Sequence, residues 1–267
     1  MNELFKIKKI ASIAAKEAGS YAIEKLGHIT EIIRKRGHND LVTDVDKSCE
    51  NIVIKHIKNN FPNHSILAEE SGKSTGKENF TWVIDPIDGT TNYAHGFPFF
   101  CTSIGILYDG NQVAGVVYDP NRKELFSAIK GNGAFLNSKK INVSSISDIK
   151  NSLLATGFAY DATKAKKGLD DFAVLLTSAQ AVRRAGAAAI DLCYVACGRF
   201  DGFWEIGLAP WDTAAASLIL EEAGGKITIL NGKKFDIFDK EILATNGKIH
   251  NQMTVILKKT RADENNN

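Results

Sequence analysis

Two aspartates three positions apart, Asp85 and Asp88, carry the densest chemistry in this chain, within the stretch WVIDPIDGTTNYAHGFPFF from Trp82 to Phe100. The apolar run from Phe80 to Ile84 reads as a buried strand that ends on these carboxylates. Pro86 fixes its own φ and biases Asp85 towards an extended backbone, so the chain leaves the strand along a stiff path. Gly89, Thr90 and Thr91 follow; glycine permits close backbone approach, and hydroxyls suit helix caps. The N–H groups at such a helix start form a site for a phosphate or another anion. Carboxylates beside an anion site repel it and one another, which pushes Asp towards protonation. A divalent cation between them removes the conflict, and oxygen ligands without Cys or His point to a hard ion, Mg²⁺ first. Taken alone, D-P-x-D-G fits a proline turn with two surface aspartates equally well; the rest of the chain decides.

With 267 residues, 44% hydrophobic and 24% charged, the chain is long enough for one large domain or two intimate halves. A net charge of +2 gives no reason to expect nucleic acid or an anionic membrane as a partner. Four cysteines are too sparse for a disulfide framework and fit a reducing compartment, and Cys193 and Cys197 have apolar neighbours that suit a core role. Lys16 and Glu17 interrupt the only signal-like start, and no run reaches the roughly 20 apolar residues of a membrane span, so a cytoplasmic location is expected.

Helical spacing of apolar residues runs from Leu4 to Leu26, and Ile29–Arg36 reads as extended. Thr43 or Asp44 caps a second helix that Pro62 stops, with Asp46 in its first turn. His64–Ala68 is a short strand delivering Glu69, followed by GKSTGKEN, expected to be a mobile, solvated loop. Thr102–Tyr108, Gln112–Tyr118, Leu125–Ile129 and Ala134–Leu136, separated by turn residues such as Asp109-Gly110, form an antiparallel meander. A polar connection, Asn137–Asn151, separates an α+β half, 1–145, from an α/β half, 146–267, in which strands and helices alternate. The tail Arg261–Asn267 is polar and expected to be disordered.

LVTDVD, DPIDGTTN and WDTAAASLILEEAGG, in this order and spacing over nearly the whole chain, resemble the inositol monophosphatase family of metal-dependent, lithium-sensitive sugar phosphatases. The resemblance implies a layered αβαβα sandwich, a homodimer, no organic cofactor and a small polyol phosphate as substrate. It implies that Glu69, Asp85 and the Ile87 carbonyl hold one Mg²⁺, that Asp85, Asp88 and Asp212 hold a second, and that a weaker third sits near Glu69. Ile87, Asp88, Gly89 and Thr90 surround the phosphate. Thr90, oriented by Asp46, positions the attacking water, with Glu69 beside them in the catalytic group. The alcohol falls to Gly186, Ala187, Ala188, Glu205 and Asp212, though Glu205 as a rim carboxylate paired with Arg184 or Arg199 is the alternative. Ala187 stands where many relatives have a hydroxyl residue, which puts one polyol contact in doubt. Sister families hydrolyse adenosine 3′,5′-bisphosphate, histidinol phosphate or fructose 1,6-bisphosphate, and a binding protein on the same fold, with Arg183 and Arg184 as surface contacts, is a further alternative. Phosphate monoester hydrolysis needs up to about 10²¹-fold acceleration, whereas one side-chain acid or base supplies roughly 10²–10⁴. Metal ions make up such a difference by neutralising phosphate oxygens, acidifying water and clamping an in-line displacement.

Overall fold

A computed structural model describes residues 2–28, 31–34, 41–159 and 162–264. Helix α1 (Asn2–Lys25) precedes a small antiparallel pair, β1 (Ile32–Arg34) and β2 (Leu41–Thr43); of the extended segment expected at 29–36, positions 29, 30, 35 and 36 lie outside the described residues. Helix α2 (Asp44–Asn60) is capped by Thr43. The Asp46 backbone N–H donates to Thr43 Oγ1 while the Asp46 carboxylate accepts from the Thr43 N–H at 2.8 Å, so two orphan donors of the first turn are satisfied reciprocally.

An eight-stranded sheet follows: β3 (Ser65–Ala68), β4 (Gly72–Ser74), β5 (Phe80–Asp88), β6 (Cys101–Tyr108), β7 (Asn111–Asp119), β8 (Glu124–Ile129), β9 (Ala134–Leu136) and β10 (Lys139–Ile141). Its order is β10-β9-β8-β7-β6-β5-β3-β4, with β3 and β5 parallel and the other neighbours antiparallel. Asp109 and Gly110 both have positive φ, the twist that a two-residue β6–β7 hairpin needs. The short helix α3 (Thr90–Ala94) follows β5. The second sheet is β12-β11-β13-β15-β14, built from β11 (Leu153–Thr156), β12 (Ala181–Arg183), β13 (Gly202–Ile206), β14 (Lys226–Thr228) and β15 (Glu241–Thr245). Helices α4 (Ala162–Ser178), α5 (Ala188–Ala196), α6 (Pro210–Glu222) and α7 (His250–Glu264) complete the chain.

Period-2 alternation sorts the strands' side chains into layers. On the first sheet Trp82, Ile84, Ile104, Ile106, Ala114 and Val116 pack against Ile7, Ala11, Ala14, Val53 and Ile57 of α1 and α2. The intervening Val83 and Leu107 meet Ala214 of α6, and Val117 joins a core that also holds α5 and α6 residues. On the second sheet Ala155, Phe203 and Ile242 face that same α5–α6 layer, whereas Leu154, Trp204 and Leu243 meet Leu175 of α4 and Met253 and Leu257 of α7. The layers are therefore helices, sheet, helices, sheet, helices: the αβαβα sandwich.

Four local expectations need correction. β5 does not stop at Ile84 but continues to Asp88, because the chain resumes pairing with β6 after an irregular step. Gly72–Ser74 is an edge strand rather than loop, and the rest of the GKSTGKEN segment is anchored by the Gly76 N–H to Ser65 Oγ and by the Lys77 and Glu78 N–H groups to the Asn63 carbonyl. The polar connection contains β10. Helix α7 runs on to Glu264, with Arg261 bonded to Glu241 at 2.9 Å, so only 265–267 of the expected disordered tail lie outside the described residues. The four cysteines are free, and Cys193 is a core residue.

Gly105 of β6 and Gly115 of β7 face each other in register, and α6 rests on them. A Cβ at Gly115 would lie 2.5 Å from the Ala215 carbonyl oxygen, and one at Gly105 2.7 Å from Ala214 Cβ. Neither contact has a flexible side chain to give way. Gly115→Ala is expected to lower unfolding stability by about 1–3 kcal/mol, the range for overpacking, in urea denaturation; an unchanged midpoint would show that α6 does not press on the sheet there.

Candidate active site

The C-terminal ends of β3 and β5, which run parallel with Ala68 opposite Ile84, deliver Glu69 and Asp85 side by side, and the Glu69 N–H donates to the Ile84 carbonyl at 3.1 Å. Residues three apart on a regular strand face opposite sides of a sheet. On β5, however, Asp85 pairs with Ser103 and Asp88 with Cys101, three steps against two. That one-residue bulge turns Asp88 to the same side as Asp85, as bulges beside active sites do. The freed Pro86 carbonyl is taken by Thr102 Oγ1 at 2.9 Å. Gly89 then adopts φ 96° and ψ 36° to cap α3. Any side chain there would be strained, and its Cβ would lie 3.0 Å from the Phe99 carbonyl oxygen.

Helix N-termini hold the remaining acids. Asp88 accepts from the Ala188 and Ala189 N–H groups at 3.2 and 2.7 Å, at the start of α5, and Cys101 Sγ lies 3.7 Å from its Oδ2. Asp212, in the first turn of α6, accepts from the Ala209 N–H at 2.7 Å. Each bond places a carboxylate at the positive end of a helix. Thr90 Oγ1 lies 3.1 Å from Asp46 Oδ1 and 3.0 Å from the Ile87 carbonyl, so its single proton points away from the cleft towards one or the other.

One cleft of about 130 Å³ is lined by Glu69, Asp85, Ile87, Asp88, Gly89, Thr90, Gly186, Ala188, Glu205 and Asp212 together with Phe158 and Arg184. Asp46 touches it through Thr90, and Ala187 is buried behind Gly89 rather than at the surface of the cleft. The Ala188 N–H is spent on Asp88. Arg199 pairs with Glu124 at 2.5 Å, not with Glu205. The spacing of residues alone does not reveal several supporting side chains. Glu50, one turn after Asp46 on α2, accepts from the Glu70 and Ser71 N–H groups at 2.8 and 2.9 Å and fixes the turn that carries Glu69. Asn92 donates to the Phe99 and Ala185 carbonyls at 2.7 and 2.8 Å, tying α3 to the loop before α5. An acid on the same helix face as Asp46 is the available signal for Glu50; Phe158 carries none, and Arg184, expected as a partner of Glu205 or a surface contact, lines the same cleft as Glu205.

The electrostatics are those of crowded carboxylates. Burial first, then Glu69, Asp88 and Asp212, hold Asp85 well above the usual carboxylate range. Burial pushes Asp88 up to about 7 against the opposing Ala189 and Ala188 N–H groups. Asp212 rises to about 7 through burial and Asp88, opposed by the Ala209 N–H and Lys240. Burial, Asp212 and Asp88 lift Glu205 to about 8, with Arg184 acting the other way. Asp85 Oδ1 is buried with no hydrogen-bond partner among the described residues. An unpaired buried carboxylate oxygen among like charges is what a cation would satisfy, and the donor set is all oxygen, which suits a hard divalent ion. Among the described residues no three acidic, histidine or cysteine side chains already stand in a closed metal shell.

The sequence profile of the inositol monophosphatase family matches residues 3–262. The chain is 46% identical over 254 residues to the Inositol-1-monophosphatase of Synechocystis sp., covering 94% of this chain and 88% of that one. It is 43% identical over 229 residues to the Nus factor SuhB of Vibrio cholerae, covering 84% and 85%. The solved inositol monophosphatase of Anabaena (Nostoc) sp. superposes with a TM-score of 0.87 at 44% identity, covering 96% and 97%. The chain belongs to the inositol monophosphatase family, and it is a phosphatase. The family is metal-dependent and acts on small phosphate esters.

Divalent cation binding is expected to appear as stability, by mass action on the folded state. Saturation at about 100 times Kd adds about 2.7 kcal/mol, a rise of several degrees in Tm for a chain of this size. Asp85→Asn should abolish the rise. Without cation, folded pKa values of about 7 for Asp88 and Asp212 exceed their ordinary 3.8, so the folded state binds more protons and their contribution falls as pH rises from about 4 to 7. Thermal scans with and without Mg²⁺ across that window check both; no Mg²⁺-dependent shift would remove the cation from the site.

Proposed function

We propose that this phosphatase hydrolyses myo-inositol 1-phosphate or a related polyol monophosphate with Mg²⁺, two ions and a weaker third near Glu69, acting as one catalytic unit over 1–267. The observation that carries this reading is the convergence of Glu69, Asp85, Asp88 and Asp212 on one cleft that the Gly89–Thr90 turn and Glu205 also line. Glu69, Asp85 and the Ile87 carbonyl hold the first ion, and Asp85, Asp88 and Asp212 the second. Bound there, Mg²⁺ neutralises phosphate oxygens and lowers the pKa of water.

This chain's own groups do the rest. The Gly89 and Thr90 backbone N–H groups bind phosphate oxygens at the start of α3. Asp46 accepts the hydrogen bond donated by the Thr90 hydroxyl, leaving an Oγ1 lone pair to accept a hydrogen bond from the attacking water, so that the water oxygen faces phosphorus with Glu69 alongside. A water beside Asp212 protonates the departing alkoxide. Glu205, Gly186 and Ala188 meet the alcohol, and Ala187, buried behind Gly89, contributes no hydroxyl to it. Holding reactants in this geometry is a large part of the acceleration. Free cysteines and the absence, among the described residues, of any helix long and apolar enough to cross a membrane support a cytoplasmic location. We place the chain in a homodimer, lithium-sensitive like the family it resembles.

Similarity to proteins named Nus factor SuhB favours a second reading, a binding role on the same scaffold with Arg183 and Arg184 on its surface. Turnover separates the two. Thr90→Ala is expected to lower kcat by about 10²-fold or more, within the range for a proton-handling group, while leaving the Mg²⁺-dependent Tm rise intact. Steady-state kinetics on inositol, histidinol, nucleotide and fructose phosphates give both the kcat loss and the substrate ranking. An unchanged kcat would remove Thr90 from the mechanism, and preference for a nucleotide bisphosphate would overturn the polyol assignment.

A further inference from the structure

Glu205 shares the cleft with two side chains that have no part so far in the reaction, Phe158 and Arg184. Each of the three is seated on a glycine. A Cβ on Gly157 would fall 2.2 Å from Glu205 Oε2, one on Gly168 3.1 Å from Phe158 Cδ1, and one on Gly186 3.0 Å from Arg184 Nη1. Gly168 is the informative member. It lies inside α4, where alanine would be the better helix former, and it is buried. Its lack of a side chain lets the Phe158 ring sit against the helix backbone, with Phe172 behind it at 5.8 Å between centroids and 59° between planes. Phe158 is thereby held half-buried, with the rest of its ring available to the cleft.

Arg184 is the one base among the cleft-lining residues, against five carboxylates. It is exposed and, among the described residues, makes no hydrogen bond or ion pair, unlike Arg199 and Arg261, which are fully engaged with acids. Its five donors are therefore uncommitted at the edge of a pocket whose acceptor is Glu205. An apolar ring wall, a donor and an acceptor around one small space match a saturated polyol ring. Such a ring presents C–H bonds on its faces and hydroxyls at its rim, and C–H groups suit the negative face of an aromatic ring.

We propose that Phe158 and Arg184 are specificity-determining residues that select a cyclic alcohol, the apolar face of its ring lying on Phe158 and its hydroxyls bridging Arg184 as donor and Glu205 as acceptor. The proposal rests on the phosphatase reading and narrows its substrate class to ring polyol monophosphates over open-chain ones.

The test compares kcat/KM for myo-inositol 1-phosphate and for the open-chain glycerol 2-phosphate, using the full chain with Mg²⁺. Phe158→Ala and Arg184→Met are each expected to lower the ring-to-chain ratio of kcat/KM about tenfold, equivalent to about 1.4 kcal/mol, with the loss in KM rather than kcat. Gly168→Ala guards against misfolding as the cause, since it suits the helix while its methyl displaces the ring, and it should lower the same ratio. A ratio unchanged in Phe158→Ala, through equal effects on both esters or none, would overturn the proposal. Turnover of neither ester by the wild type would overturn the polyol-phosphate reading on which the proposal rests, before any variant is made.

Discussion

Repulsion among carboxylates withdrawn from water is the constraint on which the rest of this structure depends. Asp85, Asp88, Glu205 and Asp212 all have pKa values raised primarily by burial and further by neighbouring carboxylates, Glu69 among them. A chain that merely collapsed would scatter such groups to its surface, where water screens them. Here each is held in place by backbone. Glu69 and Asp85 are fixed by the parallel pairing of β3 with β5, Asp88 by two N–H groups of α5, and Asp212 by the Ala209 N–H before α6. Backbone donors and helix ends offset part of the repulsion without supplying a counter-charge. The negative potential is thus left available to a cation.

That requirement explains the middle layer. The site needs the ends of two different sheets and the starts of two helices within one small cleft, so α5 and α6 must lie between the sheets and touch both. One apolar core holds Val117 and Phe126 of the first sheet, Ala155, Phe203 and Ile242 of the second, and Ala189, Leu192, Ala215 and Ile219 of the two helices. A helix buried on all sides gains no amphipathic stripe, and α6 is apolar around its whole circumference from Thr213 to Leu220 apart from two hydroxyls. The small residues Ala214, Ala215 and Ala216 let it approach the Gly105–Gly115 pair closely enough to set Asp212 opposite Asp88.

What the sequence displays follows from how local each feature is. The acid pair, Gly89 and Thr90 lie within six residues, and the capping chemistry at Thr43 and Asp46 spans four, so residue types and spacing reveal them. The period-2 runs of β6 to β8 and the Asp109-Gly110 turn are equally local. The bulge between Asp85 and Asp88 is not, because it exists only relative to the register of β6. Glu50 looks like one more surface acid of an amphipathic helix until the turn at Glu70 and Ser71 comes to rest on it. Gly168 looks like a helix defect until Phe158, ten residues earlier, is seen against it. The strand at Gly72–Ser74 defeats a composition argument because an edge strand needs no apolar face.

The two ends of the cleft are consequently built on different principles. Around the acidic cluster, where we place phosphate, charge and backbone donors are positioned by regular hydrogen-bonded elements, and a displacement of one residue in register would turn a carboxylate to the wrong face. Where we place the alcohol, shape is set by absent side chains: Gly157, Gly168 and Gly186 make room for Glu205, Phe158 and Arg184. Two of those three neighbours are side chains on loops or strand ends, and they can change without moving any strand register. Chemistry common to phosphate esters therefore sits on the rigid part of the fold. Discrimination among alcohols falls to a few side chains whose replacement leaves the carboxylate cluster intact, so variation in substrate choice at this end carries little structural penalty for the cluster.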